Sequence, residues 1–364
     1  MNGRPGGEIP ESFHRTRVVG EIFSPHGPFF TRPLQMRIIC KLIDERRRCF
    51  VYWIVMKRTT WIGVGIIVAI VVAGAVVGRF FMRSDNAGQP TSNVPGGAIK
   101  IVAAEDFYGN IAQQLGGNKV SVTSILSDPN VDPHEYESDV QDGIAITNAN
   151  IVIENGLQYD TWMDKLLSAS PSATRIVLTA GTLAPDLLPE NPHVWYGIDN
   201  ISAIAGAITD VLIKTDPADT VFFQNNLTVF NDSLAPIMGK MNEIKAQYAG
   251  TPVGLTETIY LYQTEPMGLN VLTPFTFEKA IAEGNDPSAQ DVNVTDQQIA
   301  GKKIKALIYN SQTVTPITTN LQNMAQAAGI PVVPVSETMP PNDTYQTWMM
   351  DELNALEAAL AQNH

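Results

Sequence analysis

From residue 98 onward, apolar and polar positions alternate between two periods. "AIKIVAA" (98–104) is a short unbroken apolar run of the kind buried on both faces of a sheet. "FYGNIAQQLGG" (107–117) has helical spacing and stops at glycines. "VSVTSIL" (120–126) is a second strand, followed by a helix over 138–149, a strand over 151–156, a helix over 159–170 and a strand over 175–180. Short strands alternating with helices of this length predict an α/β fold with a parallel sheet. In such sheets ligands bind beyond the carboxyl ends of the strands.

The pattern then lengthens. Asp216-Pro217 supplies a cap residue followed by proline, a good helix start. Phe223, Leu227, Phe230, Leu234, Ile237, Met241, Ile244 and Tyr248 follow at spacings of three or four, and Gly250 ends the run. The spacing predicts a rod of roughly 50 Å at 1.5 Å per residue. Pro236 predicts a kink, or a break into two helices. Alternation resumes afterwards: strands over 252–257 and 269–274, a helix over 274–284, a strand over 305–310, a helix over 316–329, a strand over 330–337, and a closing helix from Asp343 to about Ala361. The expected architecture is two α/β lobes with parallel sheets, 98–215 and 251–364, joined by a long backbone helix over 216–250. No sequence repeat relates the lobes.

Ahead of the lobes, "WIGVGIIVAIVVAGAVV" (61–77) is apolar and uncharged, with Lys57 and Arg58 before it and Arg79 and Arg83 after it. It approaches the ~20 residues needed to cross a bilayer and exceeds a signal peptide's usual apolar region. We read 56–83 as a transmembrane anchor, with a cleaved signal as the alternative, and 84–97 as a polar Gly/Pro/Ser linker. Met56-Lys57-Arg58 resembles the start of an exported protein. Residues 1–55 then read as a gene-model extension or, if translated, as a mostly disordered cytoplasmic tail.

Charge divides at the same place. Residues 1–83 carry 13 basic and 5 acidic side chains, whereas 84–364 carry 11 and 32. The acidic body lacks the basic footprint that nucleic-acid binding requires and is compatible with attracting cations. Both cysteines, Cys40 and Cys49, lie in the N-terminal part, so the body can use neither a disulfide nor thiolate metal chemistry.

The chemistry is concentrated in two histidines. Of the five in the chain, His14 and His26 precede the apolar run and His364 is terminal. His134 lies in "DPNVDPHEYESD" (128–139) and His193 in "PENPHVWYGID" (189–199); each follows proline in a loop after a strand. A solvated acidic turn and a loop histidine packed beside Trp195 are the structural alternatives to a pair of metal ligands. Neither stretch has the H-E-x-x-H pattern of a zinc protease.

These stretches carry a resemblance. "VAAEDFYGNIAQQLGG", "DPHEYE", "IENGLQYDTW", "NPHVWYGI", "FEKAIAEGNDPSAQDV" and "YNSQ…AAGIPVVPVSET" resemble the TroA-like metal receptors of zinc and manganese ABC importers, over about residues 98–364. The resemblance implies two lobes on a rigid helix holding one ion in the cleft, two ligands from each. It implies His134 and His193 from the first lobe and Glu257 and Glu337 from the second, with Glu135 and Asp132 as substitutes. A helix-capping role for Glu257 and a solvated Glu337 are the alternatives. It further implies a monomer outside the cytoplasm that passes Zn2+ or Mn2+ to an ABC permease, held at the membrane through 61–77. The chain departs from the family in three ways: it lacks a lipid-anchoring cysteine after the export signal, it lacks a His-rich loop, and it has glutamate where the last ligand is often aspartate. Two imidazoles and two carboxylates suit tetrahedral zinc, while carboxylate richness shifts preference toward manganese or ferrous iron. A metal-dependent hydrolase and a metal-stabilised adhesin are the other function classes.

Overall fold

A computed structural model describes residues 97–362, apart from 130, 132, 134 and 135. The anchor, the N-terminal tail and His134, Asp132 and Glu135 therefore lie outside the described residues.

The first lobe holds a four-stranded parallel sheet of β1 (Ile99–Glu105), β2 (Val120–Leu126), β3 (Ile151–Glu154) and β4 (Ile176–Thr179), in the order β2-β1-β3-β4. β1 is buried on both faces. Ile99, Ile101 and Ala103 enter the central core, while Val102 and Ala104 enter a smaller cluster with Trp162 and Met163. A strand with both faces covered has to be a nearly continuous apolar run. The crossovers are α1 (Asp106–Gly116), α2 (Val140–Asn148) and α3 (Thr161–Ala169). At the start of α2, Asp139 and Asp142 form a reciprocal capping box.

Two helices follow β4: α4 (Ala180–Leu183) and α5 (Ile198–Thr215). The rod is α6 (Thr220–Tyr248), 29 residues preceded by a 3-10 turn over Pro217–Asp219. Its length is about 44 Å at 1.5 Å per residue. The helix continues through Pro236, so the expectation of two helices broken there is not met. Proline removes one N–H and crowds the carbonyl one turn earlier, and the buried Leu234 and Ile237 hold the helix on its support. α6 packs on α1 and α5 of the first lobe and on α7 (Leu261–Met267) and α11 (Tyr345–Ala361) of the second.

The second lobe repeats the order of the first. Its strands are β5 (Pro252–Leu255), β6 (Asn270–Val271), β7 (Leu307–Asn310) and β8 (Val332–Val335), all parallel, arranged β6-β5-β7-β8. Its remaining helices are α8 (Phe275–Ala282), α9 (Ala289–Ala300) and α10 (Pro316–Ala328). The lobes thus share a topology that their sequences do not reveal. In each sheet the strand order reverses beside the first strand, at β1/β3 and at β5/β7, where a crevice opens beyond the strand ends. One continuous core runs from β1 through α6 to α11, so the two lobes form one body.

Candidate metal centre

Three of the four sequence-predicted residues converge. His193, Glu257 and Glu337 are fully buried, and one potential ligand atom from each lies within 4.8 Å of the others. The fourth, His134, is outside the described residues. Its loop reaches the second lobe through Val131, whose carbonyl accepts from Gln312 Nε2 at 3.1 Å.

His193 sits at the entrance to a 3-10 turn over Val194–Tyr196. Asn191 Oδ1 accepts from the His193 backbone N at 3.0 Å and contacts its Nδ1 at 2.8 Å, while Asn191 Nδ2 donates to the Thr258 carbonyl of the other lobe at 2.8 Å. An amide oxygen can only accept, so Nδ1 carries the proton and Nε2 the lone pair, the form in which imidazole binds metal. Trp195 and Tyr159 stand edge-on to the ring, with centroids 5.1 and 6.0 Å away.

Glu257 lies two residues beyond β5, at the N-cap of a 3-10 turn, but its side chain makes no capping bond. Glu337 lies two residues beyond β8 and is buried, so the solvated alternative does not apply. Its Oε2 accepts from Tyr159 Oη of the first lobe at 2.6 Å, and its backbone N donates to Gln312 Oε1 at 2.6 Å. Between the two glutamates, Asn310 Nδ2 donates to Oε1 of each.

Tyr159 is presented by a strained turn. Gly156, Leu157 and Gln158 all have positive φ, at 72°, 54° and 67°. Such a conformation costs a non-glycine residue about 1–3 kcal/mol. The turn is held by Asp160, whose carboxylate accepts from the backbone N of Asn155 at 2.7 Å and of Gly156 at 2.8 Å. Burial raises the Asp160 pKa to about 6 against the pull of these bonds. Burial and the nearby Glu337 carboxylate keep the Tyr159 phenol protonated well beyond its ordinary range. Glu105 ends β1, completely buried, and burial followed by Asp160 repulsion pushes its carboxyl well above the usual range.

The arrangement is one imidazole facing two carboxylates at the seam between two sheets, a hard to borderline donor set for a divalent ion. Residues 101–359 match the family described as zinc-uptake complex component A, periplasmic. The chain belongs to this family. Among relatives of this chain, the metal ABC transporter substrate-binding lipoprotein FimA of Streptococcus parasanguinis is 21% identical over 296 residues, covering 75% of this chain and 92% of that protein. The iron-binding protein YfeA of Yersinia pestis is 24% identical over 160 residues, covering 41% of this chain and 51% of that protein. Among solved structures, the periplasmic zinc-binding protein TroA from Treponema pallidum aligns with a TM-score of 0.64 at 20% identity, covering 72% of this chain and 99% of that one. FpvC from Pseudomonas aeruginosa in complex with Mn2+ gives a TM-score of 0.62 at 19% identity, covering 73% and 100%. The two-lobed α/β fold on a long helix is therefore that of the zinc-uptake component A family.

Sequence reasoning missed Asn191, Asn310 and Tyr159. Asn191 carries a signal, standing two residues before His193, whereas the place of Asn310 between the strands leading to the two glutamates follows only from the strand order.

Proposed function

We propose that this chain is the extracytoplasmic receptor of an ABC metal importer. In this reading it captures Zn2+ or Mn2+ between its lobes with His134, His193, Glu257 and Glu337, and delivers the ion to a membrane permease. It acts as a monomer and catalyses no reaction. The observation that carries the reading is the convergence of His193, Glu257 and Glu337 within 4.8 Å, buried at the carboxyl ends of two sheets. Buried acidic groups of this kind need a cation, a proton or donors to offset their desolvation. Family membership supports the same reading, and so do relatives named for binding manganese, iron or metal ions generally.

The apolar run 61–77 serves as the membrane anchor in this proposal, in place of the lipid borne by relatives named as lipoproteins. No helix among the described residues is long and apolar enough to cross a membrane. N-terminal sequencing of the mature protein checks the anchor, since a mature start near residue 84 would overturn it. Metal content of protein purified without chelator, followed by zinc and manganese competition, tests the receptor. Metal-dependent turnover of a substrate, or failure to bind either ion, would overturn it.

A further inference from the structure

We infer that a groove where the rod meets both lobes is a binding site for a small organic cation with an apolar body. The groove lies apart from the metal centre, since none of His193, Glu257 and Glu337 lines it.

The groove follows from how α6 is packed. α5 of the first lobe and α7 of the second both pack on the rod. The loop after α4, the first turn of α5, the middle of α6 and the end of α7 leave a cavity of about 760 Å³ between them. That volume is within the range of roughly 300–1,000 Å³ that takes small molecules. Its walls are fixed in place by hydrogen bonds. Asn200 Nδ2 donates to the Asp186 carbonyl at 2.8 Å and Asn200 Oδ1 accepts from Asp186 N at 2.9 Å, so the loop is pinned to α5. Tyr262 Oη accepts from Leu188 N at 3.0 Å and donates to the Asn191 carbonyl at 3.3 Å, which pins the same loop to α7. Gly197 has no room for a side chain, because a Cβ there would come within 2.7 Å of Asn200 Nδ2 and disturb the first of these pins.

The lining offers two kinds of surface. Leu187 and Met238 are 49% and 41% exposed, and Ile198 and Met241 continue the apolar wall. Large apolar side chains left together in a groove are what a ligand covers. Methionine adapts to an unevenly shaped partner because its unbranched thioether chain is flexible. The charge, by contrast, has one sign. Asp186, Asp199 and Glu265 line the groove from three different elements, and no lysine, arginine or histidine does. Among the described residues, no ion pair or side-chain hydrogen bond engages any of these three carboxylates. The N-terminus of α5 would by itself favour an anion, but it carries Asp199 in its first turn. Unpaired carboxylates around a partly enclosed apolar space select a cation, because low-dielectric walls concentrate their field. A bare metal ion uses only the charge, and the three carboxylates do not converge on one point as the metal centre's do. An ammonium group on an apolar body uses both surfaces at once.

The test titrates benzyltrimethylammonium, with benzenesulfonate as an anion of similar size, into the full-length chain carrying isotope-labelled methionine methyl groups. Met238→Leu and Met241→Leu assign the two resonances in the groove. Benzyltrimethylammonium is expected to shift both of them saturably while the buried Met163 and Met349 stay in place. Benzenesulfonate is expected to bind more weakly by about tenfold or more. Asp199→Asn and Glu265→Gln combined, both at exposed positions, should weaken the cation by about threefold or more. Met238→Arg puts a positive charge into the groove and should abolish the shift of Met241 by the cation. Unmoved Met238 and Met241 resonances overturn the inference. So does an equal affinity for benzenesulfonate, and so does a cation affinity unchanged in the double variant or in Met238→Arg.

Discussion

Replacing Asn191 by alanine removes a residue that touches no metal in any reading of the site, yet it should weaken metal binding. Asn191 Oδ1 holds His193 Nδ1–H at 2.8 Å and the His193 backbone N at 3.0 Å, and its Nδ2 reaches the Thr258 carbonyl at 2.8 Å. Without the acceptor, the imidazole is free to place its proton on Nε2, the nitrogen proposed to bind, and to turn about its bond. Thr258 Oγ1, at 3.4 Å from Nδ1, is too distant to replace the amide. Loss of a partner that orients a metal-binding histidine costs about 10–100-fold in affinity, or about 1.4–2.8 kcal/mol. A separate penalty falls on the fold, because the His193 N–H and the Thr258 carbonyl are left buried without their bonds. That costs about 1–3 kcal/mol and should lower the metal-free Tm by several degrees. Zinc competition against a chelator at pH 7.5 measures the first effect, and thermal unfolding without metal measures the second. Asn191→Asp retains the acceptor and loses the bond to Thr258, so it should recover affinity relative to alanine while remaining less stable than the parent. If Asn191→Ala binds zinc within threefold of the parent while His193→Ala does not bind it, the tautomer argument is refuted.

Three further outcomes follow from the same geometry. His134→Ala and His193→Ala should each remove most zinc and manganese affinity, and metal retention in the parent should fall steeply below about pH 6.5, where imidazole takes a proton; a binding profile flat from pH 7.5 to 5 under weak-binding conditions contradicts this. Glu352 is buried, with its pKa pushed up to about 8 by desolvation, and Tyr196 Oη, which has one hydrogen, lies 2.7 Å from Ser336 O and 2.9 Å from Glu352 Oε2. The consistent arrangement has a protonated Glu352 donating to Tyr196. Its contribution is therefore complete below the unfolded value near 4.5 and is lost as pH rises through 8, at up to about 1.4 kcal/mol per pH unit; Glu352→Gln should stay folded and flatten metal-free stability between pH 5 and 8. Pro236, exposed within α6, removes a helical hydrogen bond, so Pro236→Ala should raise stability by about 1–3 kcal/mol, and an unchanged or lowered Tm would show that the helix is adapted to it.

The apolar periods by themselves determined most of the strands: β1 because a parallel strand buried on both faces must be nearly continuously apolar, and Val120–Leu126 although it is a partly buried edge strand with Ser121, Thr123 and Ser124 among its apolar residues. They determined the rod as well, since a surface helix with one buried stripe repeats every three or four residues. α5 escaped although its stripe is legible: Ile201, Ile204, Ala205, Ile208 and Leu212, all buried, recur every three or four residues. α9 escaped because it is largely polar, and β6 shrank to two residues because its pairing with β5 covers only Pro252 and Val253. His193 could be singled out because histidine is scarce in this body. Glu257 and Glu337 could not be chosen from 32 acidic residues by composition, only by resemblance. What the tertiary structure alone decided is which side chains share a volume. Asn191, Tyr159 and Asn310 are ordinary loop and strand-end residues in the chain, and they meet His193, Glu257 and Glu337 because two sheets of the same strand order present their carboxyl ends to one seam. Contact across that seam depends on how the lobes are set on α6, and a one-dimensional pattern holds no term for a distance between residues that lie far apart along the chain.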